Sequence, residues 1–228
     1  MRNGAMCFSP EADIVAGLLI AAVGVDALRH VDHRRDLAIA SVPLVLAAHQ
    51  LIEAVAWWGL DGRTQDPATR VAITTYLVIA LGVIPILIPW AVMRTEQDPT
   101  RRAMMKPFVL LGIGVAVVLV TSLIASPYGA TIADLYIDYE VDVIGGGITA
   151  GAYALPVCVP LLMSSSRRLV IFGVLNVLAA SVLSALLVMG VISLWCVWSA
   201  ASSVVIAWYL RGPSVARPPF WLKENAIG

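Results

Sequence analysis

An all-α polytopic membrane bundle of seven transmembrane helices is the fold class this sequence predicts, and three observations carry it. Of its 228 residues, 60% are hydrophobic and only 13% charged, against about 45–50% and about 25% in a soluble domain. Seven apolar runs come near the ~20 residues a helix needs to cross a bilayer. Twelve of the fifteen Lys and Arg residues fall in alternate connections and the tail.

Helix one starts at Ser9-Pro10-Glu11, where a hydroxyl cap, a proline at the first helical position and an acid in the first turn favour initiation, and runs to about Leu28. Asp26 precedes Arg29 and His30 by three and four residues, a spacing that predicts a local ion pair. Helix two is Asp36 to Leu60, helix three about Val71 to Met93, and helix four about Pro107 to Ala125. A polar connection, Pro127 to Gly146, follows; Ile132, Leu135, Tyr136, Tyr139 and Val143 within it fall on one helical face, which predicts a short amphipathic interfacial helix or a lid. Helix five takes Ile148 to Met163, helix six Leu169 to Met189 and helix seven Val191 to Leu210. Prolines at 43, 85, 89, 156 and 160 sit inside spans as kinks.

The chain reads as one domain, 1–228, with an outer N-terminal segment 1–9, an outer loop 127–146 and a cytoplasmic tail 211–228. The positive-inside rule orients it: only Arg2, Arg63 and Arg70 lie opposite the other twelve cations, so the N-terminus is expected outside and the C-terminus in the cytoplasm. Trp57, Trp58, Trp195 and Trp198 then form an outer aromatic belt, with Trp90, Trp208 and Tyr209 at the inner one. The N-terminus lacks the apolar core of a cleaved signal. Net charge is zero and no basic face is present, which excludes a nucleic-acid partner.

Helix two carries the candidate site. His49 and Glu53 are four residues apart, so they share one helix face, about 16 Å and about 10 Å below its outer end at 1.5 Å per residue. An ionisable group at such depth costs roughly 2.5–3.5 kcal/mol on insertion scales, so it marks a site unless it is paired or faces a wet cavity. Cys196, about 7 Å below the outer end of helix seven, and Cys7, just before helix one, converge on that side if helices one, two and seven are neighbours. Three readings stay open. One is a tetrahedral metal site on His49, Glu53 and Cys7, Cys196 or both, for zinc or copper. Another is a Cys7–Cys196 disulfide. The third is plain packing, as for Cys158. Trp57, Tyr153 and Trp195 complete the candidate ligand-binding set with His49 and Glu53.

The opening Met6-Cys7-Phe8-Ser9, the segment His49-Gln50-Leu51-Ile52-Glu53 running on to Trp57-Trp58, and Ser193-Leu194-Trp195-Cys196 before Ala200-Ala201 resemble an uncharacterised family of bacterial seven-helix membrane proteins whose members begin Met-Cys-Phe-Ser. The resemblance spans the chain, implies the fold and the motif positions, and places the family's first residue at Met6. It implies no activity.

Several seven-helix chemistries are excluded by residues. The final span has no lysine for a retinal Schiff base and no histidine of the ceramidase or adiponectin-receptor type, and one intramembrane histidine cannot make bis-histidine haem. The expectation is a multi-pass protein of the bacterial inner membrane with an outward-facing polar pocket on His49 and Glu53, binding a metal ion or small ligand for sensing or transport. A membrane-embedded metal-dependent hydrolase of a lipid-like substrate, and a structural accessory subunit of a membrane complex or homo-oligomer, are the competing classes.

Overall fold

The computed structural model describes residues 9–62, 66–133, 137–187 and 194–211, and within them seven helices and one β-hairpin account for the chain. Helix α1 is Pro10–Arg29, α2 Leu37–Leu60, α4 Pro99–Ala125, α5 Gly146–Met163, α6 Arg167–Leu187 and α7 Leu194–Leu210. Helix α3 covers 66–95 as two α-segments, Asp66–Val78 and Ile84–Thr95, joined by a π turn at Ile79–Val83. Four of these helices are long and apolar enough to cross a membrane: Arg34–Leu60, Pro67–Thr95, Pro99–Ala125 and Gly146–Met163.

Local chemistry explains most boundaries. Ser9 caps α1, its hydroxyl accepting from Ala12 N at 3.3 Å with Pro10 behind it, as expected. Helix α4 begins eight residues before the expected Pro107, because Asp98 caps it (Oδ1 accepts from Arg101 N at 2.9 Å) and Pro99 opens it. Pro107 therefore lies inside a helix it was expected to start. The π turn in α3 has its cause in Pro85. The Ile84 amide reaches back to the Ile79 carbonyl; the next pair in that register would join residue 85 to the Ala80 carbonyl, and proline has no N–H to give.

Among the described residues the connection after α4 is a hairpin and not the expected helix, of whose face Leu135 and Tyr136 lie outside the described residues. Strands β1 (Gly129–Ile132) and β2 (Ile137–Glu140) form an antiparallel hairpin, with Gly129 opposite Glu140 and Ile132 opposite Ile137. The sequence 137–142 alternates apolar and acidic residues, Ile-Asp-Tyr-Glu-Val-Asp, a period of two that outranks the scattered helical face. Ile137 is 1% exposed and anchors the hairpin on the helices.

Helix α2 is the packing centre, touching α1, α3 and α7, while α1 also touches α7. Helices one, two and seven are thus neighbours. The buried face of α1 is Asp13, Gly17, Ile20, Gly24 and Ala27, spaced four, three, four and three residues apart. Cβ atoms at Gly17 and Gly24 would stand 2.8 Å and 2.7 Å from the Leu51 and Leu44 side chains, so the glycines set the close approach of α1 and α2.

Two apolar clusters fill the bundle. One joins Ile39, Val42 and Leu46 to Ile20, Ile84, Met105, Leu161, Phe172 and Ile206. The other joins Ala56 and Trp57 to Ile73, Tyr76, Leu77, Leu123 and Ile137 under the hairpin. Between them, on α2, lie His49, Gln50 and Glu53.

Some side chains depart from expectation. Trp57 is 9% exposed and belongs to the second cluster, and the Trp198 indole donates to Asn176 Oδ1 at 3.0 Å, so neither serves in a lipid-facing belt. Asp26 has the expected local partner in His30, whose Nδ1 stands 3.7 Å from the carboxylate and 2.8 Å from the Asp26 carbonyl, and it also pairs with Arg211 beyond the end of α7, at 2.6 Å and 3.0 Å.

Candidate functional site

On α2, His49 and Gln50 are 0% exposed and Glu53 is 6% exposed. Three other elements close around them. From α1, the stripe that packs on α2 begins with Asp13, 5% exposed, which places a second carboxyl in the electrostatic neighbourhood of Glu53. From α3, the Tyr76 ring lies on the His49 imidazole, centroids 3.9 Å apart and 23° from parallel, and its side chain hydrogen-bonds Glu53. From the hairpin, Tyr139 stacks on the outer face of Tyr76 at 4.7 Å. The Tyr128 hydroxyl also hydrogen-bonds the Thr74 hydroxyl of α3, a second tie between the hairpin connection and the helices.

The layer is polar but incompletely satisfied. The Tyr76 main chain runs beside the imidazole, yet neither His49 nitrogen meets a partner in hydrogen-bonding geometry among the described residues, nor does the Gln50 amide oxygen or nitrogen. Four such atoms on adjacent residues are unusual, since a buried polar atom left without a partner costs about 1–3 kcal/mol. His49, Gln50 and Glu53 are all buried, with the Tyr76 ring stacked on the imidazole and the Tyr139 ring of the hairpin stacked on Tyr76.

The other expected site residues fall differently. Trp57, one turn beyond Glu53, belongs to the buried cluster that includes Ile73, Tyr76 and Leu77 of α3. Tyr153 on α5 donates its hydroxyl to the Ala80 carbonyl at 2.9 Å, the acceptor that the π turn and Pro85 leave without an amide. It thereby ties α5 to the break in α3. Cys158 is 9% exposed and accepts a 3.5 Å contact from Asn176 Nδ2, which agrees with packing. Cys7 and the side chains of Trp195 and Cys196 lie outside the described residues. Among the described residues no group of three or more His, Cys, Asp or Glu side chains is arranged to hold a metal ion.

Asp13, Gln50 and Tyr76 were not among the site residues expected from the sequence, and the 127–146 connection was not expected as a hairpin. Asp13 had a signal, its place in the four-three rhythm that continues through Gly17, Ile20, Gly24 and Ala27. Tyr76 had none, because its contact depends on how α3 is rotated against α2.

At the opposite end of the bundle Glu96, 3% exposed, ties two connections together. It accepts from Ser165 N at 2.7 Å, Ser165 Oγ at 2.6 Å, Gln97 N at 2.9 Å and Asp98 N at 3.0 Å. Burial alone would raise this carboxyl, but the hydrogen bonds from Ser165, Asp98 and Gln97 outweigh it and hold Glu96 below the ordinary value of 4.5. Arg101 adds a 2.9 Å bond to the Met163 carbonyl at the end of α5. This is a fully satisfied polar cluster, in contrast to the layer around His49.

No curated protein and no solved structure matches the chain. Residues 6–219 match the model of a family of unknown function, DUF6629, and the chain belongs to that family.

Proposed function

We propose that the protein spans a bacterial inner membrane seven times, N-terminus outside, and holds an occluded polar site that takes up a small cation for sensing or transport. The observation that carries the reading is the layer itself: the buried carboxyls of Glu53 and Asp13 beside unpartnered polar atoms of His49 and Gln50. A carboxyl buried in a low-dielectric layer, as at Glu53, calls for compensating positive charge, whether a bound cation or a proton. One imidazole nitrogen of His49 and the Gln50 oxygen supply neutral ligand atoms to such an ion. Oxygen and imidazole ligands suit a hard or borderline metal ion, and with Cys7 or Cys196 a softer one; they suit a small organic ammonium equally.

Seven crossings are supported by apolar side chains that face outward on helices beyond the four clear candidates. Helix α1 exposes Val15, Leu18 and Leu19 at 57–63%, α6 exposes Ile171, Leu175 and Leu178, and α7 exposes Val204 and Trp208. Such faces are stable against lipid and costly against water. A C-terminal green fluorescent protein fusion that glows, with a C-terminal alkaline phosphatase fusion that is inactive, fits the orientation; the reverse result refutes it.

The site is tested by thermal melting of purified protein with sodium, potassium, manganese, zinc, copper and ethylammonium ions, alongside elemental analysis. At least one cation raises Tm in the wild type and fails to do so in Glu53→Gln and in Asp13→Asn. If no cation shifts Tm and both variants melt with the wild type, the layer only fixes helix packing and the reading is wrong.

A further inference from the structure

A second candidate site, independent of the Glu53 layer, lies at the hairpin end between α3 and the end of α4. A cleft of about 710 Å³ opens there, lined by Thr69, Arg70 and Ile73 of α3 and by the chain from Leu123 to Ala130. That volume is within the range of small-molecule sites. Its chemistry is divided in three. The wall is apolar, with Ile73, Leu123 and an 80% exposed Ile124, and Val71 beside it is 65% exposed. On one side stands Arg70, exposed, whose guanidinium makes no ion pair with any described residue. On the other, the last turn of α4 presents its terminal carbonyls, the negative end of a helix. The Glu140 carboxylate reaches the same rim: a Cβ on Gly129 would stand 3.6 Å from Glu140 Oε2. Glu140 likewise makes no ion pair among the described residues.

We propose that this cleft binds a zwitterionic phospholipid whose head group carries a primary ammonium. The phosphate meets Arg70, whose planar fork suits phosphate oxygens. The ammonium, with three N–H donors, meets Glu140 and the free carbonyls of α4. An acyl chain lies along Ile73, Leu123 and Ile124. Opposite charges on the two sides of one cleft, neither paired with the other, favour a ligand that carries both. A purely anionic head group would face Glu140 unscreened, and a choline head group has no N–H to donate.

The test is native mass spectrometry and thermal melting of delipidated full-length protein in detergent, titrated with phosphatidylethanolamine, phosphatidylcholine and phosphatidylglycerol of matched chains. Phosphatidylethanolamine binds at least fivefold more tightly than the other two. Arg70→Gln weakens it about tenfold, as expected for loss of one charge-assisted contact, and Arg70→Lys recovers part of the loss. Glu140→Gln removes the preference for phosphatidylethanolamine over phosphatidylcholine while leaving phosphate binding in place. Gly129→Val, which narrows the cleft while removing neither charge, weakens all three lipids, and circular dichroism verifies that each variant is folded. Equal binding of phosphatidylethanolamine and phosphatidylcholine, a preference for phosphatidylglycerol, or an Arg70→Gln variant that binds as the wild type does would each overturn the proposal.

Discussion

Tyr139 lies flat on Tyr76, ring centres 4.7 Å apart and 16° from parallel, and Tyr76 in turn covers His49 at 3.9 Å. Three rings from three elements thus form one column, and the hairpin's hold on the bundle passes through the residue that roofs the buried histidine. An offset aromatic pair contributes about 0.5–1.5 kcal/mol beyond the area it buries. Ile137 supplies a separate anchor, so loosening one contact leaves the hairpin in place.

Tyr139→Ala is therefore expected to lower stability by about 1–2 kcal/mol and to uncover His49 without unfolding the chain. Diethyl pyrocarbonate labelling read by mass spectrometry checks it. His30 and His33, both exposed, label quickly in wild type and variant alike, whereas His49 labels slowly in the wild type and several-fold faster in Tyr139→Ala. Unchanged protection of His49 would mean that something other than the hairpin closes the layer.

The second expectation concerns two glycines on α4 that differ only in what they face. A Cβ at Gly112 would stand 2.0 Å from the Pro85 carbonyl oxygen, a backbone atom that cannot turn aside, while Gly114 has nothing within 4 Å. Gly112→Ala must push α4 away from the broken segment of α3 and is expected to lower Tm sharply, by the equivalent of about 2–4 kcal/mol. Gly114→Ala is expected to be neutral or to stabilise by up to about 1 kcal/mol, the helix propensity difference. Melting curves of both variants in one detergent give the comparison, and equal effects would contradict the α3–α4 contact.

How much of this was legible beforehand divides along physical lines. Helix existence follows from apolar runs and caps, so all seven helices were readable, and Ser9-Pro10 marked a start correctly. Boundaries set by competition between signals were not. Asp98-Pro99 and Pro107 both resemble helix starts, and only the Asp98 side chain bonding Arg101 N decides between them. The hairpin was misread because a helical face with five members was weighed above a six-residue alternation. In the site, His49 and Glu53 stood out because polar residues are expensive in an apolar run. Asp13 did not, because an acid in a first turn already has an ordinary explanation in the helix dipole. Tyr76, the residue that binds the layer together, lies in a stretch with no such contrast.

Acid should weaken the Glu96 cluster in a defined window. Its hydrogen bonds hold the folded-state carboxyl below 4.5, and a carboxyl depressed in the folded state contributes stability that is present above the unfolded value and lost as pH falls through the folded one. The stability difference between wild type and Glu96→Gln is thus expected to be constant from about pH 7 to pH 5 and to shrink below about pH 4.5. At neutral pH the variant should be less stable by about 1.5–3 kcal/mol, the range for hydrogen bonds to a charged group. A gap that grows on acidification would show that the carboxyl is not held ionised by Ser165, Asp98 and Gln97.

Asn176 offers a test of how the far helices are held. Its Oδ1 accepts from the Trp198 indole N–H at 3.0 Å, and its Nδ2 lies 3.5 Å from Cys158 Sγ, so one amide bridges α5, α6 and α7. Asn176→Leu keeps roughly the volume but leaves the indole N–H beside an apolar group, in a cavity that Phe172, Ser199 and Ser202 also line. The cost is expected near 1–2 kcal/mol, because hydrogen bonds between membrane helices contribute less than the bare desolvation cost suggests. Asn176→Asp in the same place should cost more, since an ionised carboxylate there accepts the indole proton but has no countercharge among the described residues. Asn176→Gln should cost least if the longer amide can still reach the indole. That ranking, read from melting temperatures and from the shift of Trp198 fluorescence, separates a hydrogen bond from mere space-filling: if Leu were tolerated as well as Gln, shape alone would hold the three helices.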